Sequence, residues 1–282
     1  MFSKLLKHEW KANAGLLGIL SLCALGVGLL GAGVLRAIEY VSQHMLNDQM
    51  AAIATSGLGS IMVFVVIALA AYALAVQFIN IWRFYKNKFT DEGYLTFTLP
   101  VTPHQIFLSS FLVILAWLAI SVVVLLISGT LMLFIGLGAP SKEFWKELLY
   151  VFDNLGEALA QIDMPGVKSF LLLSVAQVFV TPVYAIVLLM TSITLGCVLA
   201  KKHKILATIG MYYIINMVVN VISSVLTIVP TFMMIGSAME GAEDYFSHLA
   251  LAMGLTLLLQ IGLCLVGYFW STHLMKHKLN LP

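Results

Sequence analysis

The chain has 282 residues, of which 61% are hydrophobic and only 10% are charged. Soluble globular domains carry about 25% charged residues, so this composition excludes an ordinary soluble domain and is typical of a membrane protein. Fifteen Lys and Arg residues against thirteen Asp and Glu leave a formal net charge of +2, which provides no electrostatic basis for binding nucleic acid.

The first predicted element, residues 1–14, is an amphipathic helix. At 100° per residue, one face collects Phe2, Leu5, Leu6 and Trp10, and the other collects Lys4, Lys7 and Lys11. Such a helix lies in the membrane interface, with its lysines toward anionic headgroups. The alternative is the charged start of a signal peptide. We disfavour it because the apolar stretch that follows runs for 24 residues, to Arg36, against about 7–15 in a signal peptide.

Residues 15–282 are predicted to form a single transmembrane domain. A helix needs about 20 apolar residues to cross a hydrocarbon core about 30 Å thick. Six segments meet this requirement, at approximately residues 15–36, 60–83, 104–128, 169–198, 205–230 and 248–272. The sequence therefore predicts an all-α membrane protein with six transmembrane helices.

The third segment decides the topology, because the uncharged run 104–139 is long enough for one helix or for two short ones. With one helix there, eleven of the fifteen Lys and Arg residues lie on the same side of the membrane as both termini. The four on the other side are Arg36, Lys142, Lys146 and Lys168. Cytoplasmic loops carry an excess of Lys and Arg, so we predict six spans with both termini in the cytoplasm.

Residues 140–168 join the third and fourth spans on the predicted outer side. Apolar residues recur there at helical spacing, which predicts an external amphipathic helix. These residues are Phe144, Leu148, Phe152, Leu155, Leu159 and Ile162. The Pro165-Gly166 pair is expected to end the helix before the fourth span.

Residues 83–104, between the second and third spans, read RFYKNKFTDEGYLTFTLPVTPH and are called here the polar interruption. A turn between membrane helices needs only a few polar residues. The length and variety of this stretch therefore predict a surface that contacts a partner on the water side. Residues 95–99 alternate like a β-strand, but an isolated strand beside a membrane would leave its backbone groups unpaired.

The basic residues, the Asp-Glu-Gly-Tyr and the Leu-Thr-Phe-Thr-Leu-Pro of this stretch resemble the first cytoplasmic loop of type 2 ABC transporter permeases. The similarity is to the bacterial branch linked to peptide or antimicrobial export, and the lysine-rich N-terminal helix and residues 276–281 fit the same pattern. The resemblance implies a short cytoplasmic coupling helix seated in a cleft of a separate ATPase. It assigns to ATPase coupling the residues Arg83, Lys86, Lys88, Asp91, Glu92, Gly93, Tyr94, Phe97 and Pro100.

The function implied by the resemblance is that of the transmembrane subunit of an ATP-driven exporter in the bacterial plasma membrane. It would move a hydrophobic or amphipathic substrate, such as a peptide, outward. The partners would be cytoplasmic ABC ATPase subunits, membrane lipids and a second copy or a homologous permease. The sequence has no P-loop motif, so we expect no enzyme activity in this chain and ATP and Mg bound by the partner ATPase. The alternative function is an ATP-independent facilitator or channel, or a membrane assembly factor.

The candidate substrate path lies on the fifth span, where Tyr212, Asn216 and Asn220 follow at steps of four residues. Four residues correspond to about one helical turn, so these side chains are expected near one face. Polar side chains in a bilayer turn toward protein or a wet cavity, not toward lipid. We predict that the three residues face the path, with a dry helix contact as the alternative.

Two other patterns carry weaker predictions. The small residues Ala24, Gly28 and Ala32 repeat every four residues in the first span, which predicts a close helix contact, within the chain or between two copies. His273 and His277 have the i, i+4 spacing of metal ligands, but no carboxylate or cysteine lies near them in the sequence. We interpret the histidines as part of a basic helix end.

The predicted topology is testable by labelling single cysteines with an impermeant maleimide. Cysteines at positions 146, 157 and 243 are expected to react in intact cells, because those positions lie in the predicted outer loops. Cysteines at positions 87 and 203 are expected to react only after permeabilisation. Labelling of position 203 in intact cells would contradict the six-span topology.

Overall fold

The computed structural model describes residues 2–44, 48–90, 93, 101–136, 138, 142–161, 165–200, 202–237 and 242–277. Within these ranges the regular structure is entirely helical. The seven helices are α1 (Phe2–His44), α2 (Asp48–Phe89), α3 (Pro103–Gly136), α4 (Lys142–Gln161), α5 (Pro165–Leu199), α6 (Lys204–Ser237) and α7 (Ala242–His277).

Six of these helices, all except α4, are long and apolar enough to cross a membrane. This confirms the predicted all-α fold with six spans, and the chain is a multi-pass membrane protein. The run 104–139 forms a single helix through Gly136 and not two short ones. Which side of the membrane each loop occupies stays a prediction.

The helices are longer than the predicted spans at almost every end. Residues 2–14 are not a separate helix, because α1 continues without a break from Phe2 to His44. The change from an amphipathic to an apolar pattern marks where the surroundings of a helix change. It does not interrupt the backbone hydrogen bonds between residues i and i−4, and those bonds define the helix.

Proline and glycine mark several helix ends. Pro103 begins α3 and Pro165 begins α5. Proline is favoured in the first turn of a helix because its missing N–H would have no intrahelical acceptor there. Gly138, just beyond α3, has φ of 91°, a left-handed conformation that glycine adopts without steric cost. The amphipathic helix predicted within 140–168 is α4, Lys142–Gln161.

Cα packing divides the chain into two compact units. Unit 1 contains Met1–Arg83 and Leu112–Tyr150, and unit 2 contains Phe84–Phe111 and Val151–Pro282. Unit 1 therefore combines α1 with most of α2 and α3. Unit 2 combines α5, α6 and α7 with the end of α2 and the beginning of α3.

In unit 1, α1 and α3 approach each other along the small-residue stripe. A Cβ atom added to Gly28 would lie 2.7 Å from Ser128 Cβ and 3.0 Å from Ser128 Cα. Ser128 Oγ also donates a hydrogen bond to the carbonyl of Ala24, at 3.5 Å. Ala32 is fully buried in a cluster with Val65 and Met132. The stripe is therefore occupied by a contact within the chain.

In unit 2, α5 packs closely on both α6 and α7, and α6 and α7 also contact each other. A Cβ atom added to Gly196 would lie 2.5 Å from the backbone nitrogen of Thr208, which leaves no room for a side chain between α5 and α6. On the other side, Ser271 Oγ of α7 donates a buried hydrogen bond to Thr191 Oγ1 of α5, at 3.1 Å. Further along these two helices, Gln177 Nε2 donates to Gln260 Oε1 at 3.0 Å.

Alanine at position 28 is expected to destabilise unit 1, because the added Cβ would meet the backbone of α3. Overpacking of this kind costs about 1–3 kcal/mol. Gly33→Ala is the matched control, since nothing lies within 4 Å of its added Cβ and alanine favours helix over glycine. Thermal unfolding of both variants in detergent is the measurement. Equal midpoints for the two variants would contradict the close α1–α3 contact.

Candidate functional site

Apart from Arg83, the two edges of the polar interruption lie in unit 2. The last two turns of α2 bury Phe84, Lys88 and Phe89, and the first two turns of α3 bury Ile106 and Phe107. Each of these side chains is at most 3% exposed. We call these five residues the loop base. The helices extend into the polar interruption from both sides, because α2 continues to Phe89 and α3 begins at Pro103.

Aromatic contacts attach the loop base to α7. The Phe84 ring meets the rings of Phe89 and Phe107 edge-on, with centroids 5.7 Å and 6.4 Å apart. Phe107 in turn meets Tyr268 of α7 edge-on, at 5.4 Å. Edge-to-face pairs at these distances stabilise a structure by about 0.5–1.5 kcal/mol beyond their burial. The Tyr268 hydroxyl also lies 3.2 Å from His104 Nδ1, so α7 holds the first turn of α3 at two points.

A hydrogen bond from α6 attaches the other edge. Lys204, the first residue of α6, places its Nζ 3.2 Å from the carbonyl oxygen of Phe89, the last residue of α2. The final carbonyls of a helix have no partners in the helix and carry partial negative charge, so an ammonium group there is favourable. Gly93 continues the chain in a buried position, with its N–H donating to the carbonyl of Thr90 at 2.8 Å. The loop base is thus held by both α6 and α7.

The residues assigned to ATPase coupling differ in how far they are buried. Lys86 is exposed, whereas Lys88 and Gly93 are buried in unit 2. The predicted coupling helix and the residues Asp91, Glu92, Tyr94, Phe97 and Pro100 lie outside the described residues. Coupling by these residues stays a prediction.

Arg83 belongs to unit 1, where it joins a buried polar network between α1 and α2. Its guanidinium donates to Asn13 Oδ1 at 2.8 Å and to the carbonyl oxygen of Ala12. Asn13 Nδ2 donates to Asn80 Oδ1 at 3.3 Å, and Asn80 Nδ2 donates to the carbonyl of Val76 at 2.9 Å. Asn13 is 7% exposed and Asn80 is 1% exposed. The guanidinium of Arg83 is therefore engaged by α1.

The predicted interfacial residues all lie in the first turns of α1. Lys4, Lys7 and Lys11 are exposed, as expected for a face toward water or headgroups. Trp10 stacks on Trp117 of α3, with ring centroids 5.2 Å apart and an angle of 23° between the rings. This stacking holds the beginning of α1 against α3 within unit 1.

The candidate path residues do not share one environment. Tyr212 and Asn216 are half-buried, and Asn216 Nδ2 donates to the carbonyl of Tyr212 at 2.9 Å. Asn220 is exposed. Each step of four residues turns a helix by about 40°, so two steps displace Asn220 by about 80° from Tyr212. Asn220 is thus more exposed than Tyr212 and Asn216, and the prediction that the three residues face a path stays a prediction.

The sequence predicts no role for five residues of these sites, namely Asn13, Asn80, His104, Lys204 and Tyr268. Asn80 was one of several scattered polar residues, and its partner Asn13 is 67 positions away. One signal was available. Asn80 and Arg83 are three residues apart, so they lie on the same face of α2 at the boundary of the apolar run.

Comparisons with protein-family models, with curated proteins and with solved structures find no match for this chain. The resemblance to type 2 ABC permeases consequently rests on the sequence alone, namely on the polar interruption, the lysine-rich N-terminal helix, residues 276–281 and the layout of the apolar segments. Among the described residues, no group of three or more His, Cys, Asp or Glu side chains is arranged to hold a metal ion.

Leucine at position 80 is expected to destabilise unit 1, because it removes the acceptor for Asn13 and leaves a buried amide without that partner. An unsatisfied buried group costs about 1–3 kcal/mol. Asn220→Leu makes the same substitution at an exposed position of α6 and is expected to leave stability unchanged or raise it. Unfolding by sodium dodecyl sulfate in mixed micelles compares the two variants. Equal stability would show that the network between α1 and α2 contributes nothing.

Proposed function

We propose that the chain is the transmembrane subunit of an ATP-driven exporter of the type 2 ABC permease class. Three features support the proposal. The chain has six membrane-spanning helices, the polar interruption resembles the coupling loop of that class, and the sequence lacks a P-loop of its own. A transporter built on this chain therefore takes its ATP hydrolysis, with the Mg that this requires, from a cytoplasmic partner. Two copies of the permease, or one copy and a homologous permease, bind two such ATPases.

The observation that carries the proposal is the attachment of the loop base to unit 2. A loop that only connected two spans would need no buried Phe84–Phe89–Phe107 cluster and no bond from Lys204. Protein cores are close-packed, so a displacement of such a cluster displaces the helices packed on it and is not absorbed locally. A force applied to residues 90–102 by a partner therefore reaches α6 and α7 directly.

The transport step follows from this connection. Closure of the ATPases on ATP pushes the polar interruption, and the loop base passes the movement to α6 and α7, which open a path toward the outside. The span interiors carry few charged residues, so the lining suits a hydrophobic or amphipathic substrate. Tyr212, Asn216 and Asn220 are the proposed path residues.

Co-purification tests the proposal. The full-length chain, tagged at its C-terminus and expressed in its native host, is expected to retain a stoichiometric protein that contains a P-loop motif. The complex in lipid nanodiscs is expected to hydrolyse ATP and to be inhibited by vanadate. Substrate flux through the reconstituted chain alone, without nucleotide, would favour an ATP-independent facilitator or channel. A stoichiometric partner without a nucleotide site, together with no flux, would favour an assembly factor.

Substitution of the acidic pair in the polar interruption tests the coupling site. The double variant Asp91→Ala/Glu92→Ala is expected to insert and fold normally and to bind the ATPase about ten- to a hundredfold more weakly. That range corresponds to the loss of one charge-assisted contact of about 1.5–3 kcal/mol. Gly93→Leu is expected to uncouple hydrolysis from transport, because Gly93 is buried beside the end of α2.

The matched control is Glu147→Ala/Asp153→Ala, which removes two acidic side chains from exposed positions on α4. The control is expected to bind the ATPase and to transport like the wild type. Normal binding and transport by the Asp91/Glu92 variant would mean that the polar interruption is only a connector.

A further inference from the structure

Unit 2 contains an apolar cavity that the proposed export function does not use. Its volume is about 360 Å³, and it lies between α5, α6 and α7. Its lining includes Leu195 and Leu199 of α5, Ile215 and Val219 of α6, and Trp270 of α7. The cavity thus occupies the half of the three helices in which α5 and α7 end and α6 begins.

The polar groups of the cavity wall offer little to water. Thr191 Oγ1 is already engaged, because it donates to the carbonyl of Val187 at 2.7 Å and accepts from Ser271. The other polar groups of the lining are the Tyr184 hydroxyl and the indole N–H of Trp270. A buried water needs two to four polar partners, and apolar cavities without them remain dry or take up apolar ligands. In a membrane the abundant apolar ligand is a lipid acyl chain.

Basic residues follow the cavity lining in the sequence, in the connection between α5 and α6 and on α7. Leu199 is the last residue of α5, and Lys202 and His203 follow it in exposed positions before Lys204 begins α6. On α7, His273 and His277 lie three and seven residues beyond Trp270, which places both near the same helix face. Both histidines are exposed, and their rings lie 4.5 Å apart.

Acidic residues are absent from the sequence of these segments. No Asp or Glu occurs between Met164 and Met239 or between Tyr245 and Pro282. A second cavity in unit 2, of about 540 Å³, provides a contrast, because its lining includes the carboxylate of Asp244. The segments that line the first cavity therefore pair an apolar interior with neighbouring basic residues. This combination complements a molecule with a hydrocarbon chain and an anionic head.

We propose that this cavity binds one acyl chain of an anionic phospholipid, with the phosphate at the basic end formed by the exposed Lys202 and His203. The lipid comes from the membrane leaflet on that side. Basic residues at the membrane surface attract anionic headgroups, and the apolar lining excludes the headgroup from the interior. The site requires no ATPase partner and no transport, so it stands independently of the proposed export function.

Lipid retention by the full-length protein tests this assignment. The chain is purified in a maltoside detergent, incubated with dioleoyl phosphatidylglycerol or dioleoyl phosphatidylcholine, purified again and analysed by native mass spectrometry. The wild type is expected to retain one phosphatidylglycerol per chain and several times less phosphatidylcholine. A wild type that retains no phosphatidylglycerol overturns the proposal without any variant.

Neighbouring positions on α6 provide the matched pair for the cavity. Ile215→Trp places an indole in the cavity and is expected to lower phosphatidylglycerol retention at least about tenfold. Ile214→Trp is the control and is expected to retain the lipid, because Ile214 is 56% exposed on the outer face of α6. Val219→Phe fills the cavity with a smaller ring. It replaces Ile215→Trp as the test variant if Ile215→Trp does not fold. If folded variants at positions 215 and 219 both retain the lipid like the wild type, the proposal is wrong.

A second pair of variants tests the basic end. Lys202→Gln is expected to lower the preference for phosphatidylglycerol over phosphatidylcholine by about fivefold. Lys168→Gln removes an exposed lysine near the other end of α5 and is expected to leave the preference unchanged. An unchanged preference in Lys202→Gln overturns the placement of the phosphate.

Two further probes separate the lipid from other ligands. Inorganic phosphate alone is expected to give no thermal stabilisation. Equal stabilisation by phosphate in the wild type and in Ile215→Trp would assign the basic end to free phosphate and overturn the lipid site. Binding of an amphipathic peptide that depends on Ile215, without phosphatidylglycerol retention, would make the cavity a cargo site and would equally overturn the proposal.

Discussion

Hydrocarbon offers no hydrogen-bond partners to the backbone, and the structure depends on this constraint. Each spanning segment must satisfy its own N–H and C=O groups, which only a continuous helix achieves within one segment. The six spanning helices accordingly run for 34 to 43 residues, longer than a membrane crossing requires. Pro182 and Pro230 lie inside α5 and α6 without ending them. Membrane helices tolerate such prolines because neighbouring groups satisfy the freed carbonyls.

The same constraint determines which residues join the helices, because lipid is as apolar as leucine and burial alone does not hold helices together. In unit 1, hydrogen bonds from α1 to its neighbouring helices follow one another along α1. Asn13 bonds Asn80, Ser21 Oγ lies 2.9 Å from the Tyr72 hydroxyl, and the Ala24 carbonyl accepts from Ser128. Each such bond contributes only about 0.6 kcal/mol on average in a membrane protein. Their spacing sets the register between helices, and the contact at Gly28 brings the backbones close enough for dispersion to act.

The sequence predicted the features that depend on local composition. The six spans, the all-α fold and the amphipathic α4 each follow from a pattern within one segment, and the Gly28 stripe follows from small residues at helical spacing. Helix ends were predicted poorly, since polar residues beyond an apolar run continue the same backbone bonds. The partners of Arg83, Lys204 and Tyr268 could not be predicted. Each of these contacts joins residues more than 60 positions apart, and only the three-dimensional fold brings them together.

The loop base contacts the same stretch of α7 that lines the apolar cavity. Tyr268 contacts Phe107 of the loop base, while Gly267 and Trp270 line the cavity. A Cβ atom added to Gly267 would lie 2.8 Å from Thr191 Oγ1, so α5 and α7 are in contact at that level. A movement of α7 that followed the loop base would therefore change the distance between the cavity walls. The linkage is reciprocal. A ligand that binds the cavity more tightly before or after this movement of α7 also favours the corresponding position of the loop base. A lipid in the cavity would thus act on the loop base through α7.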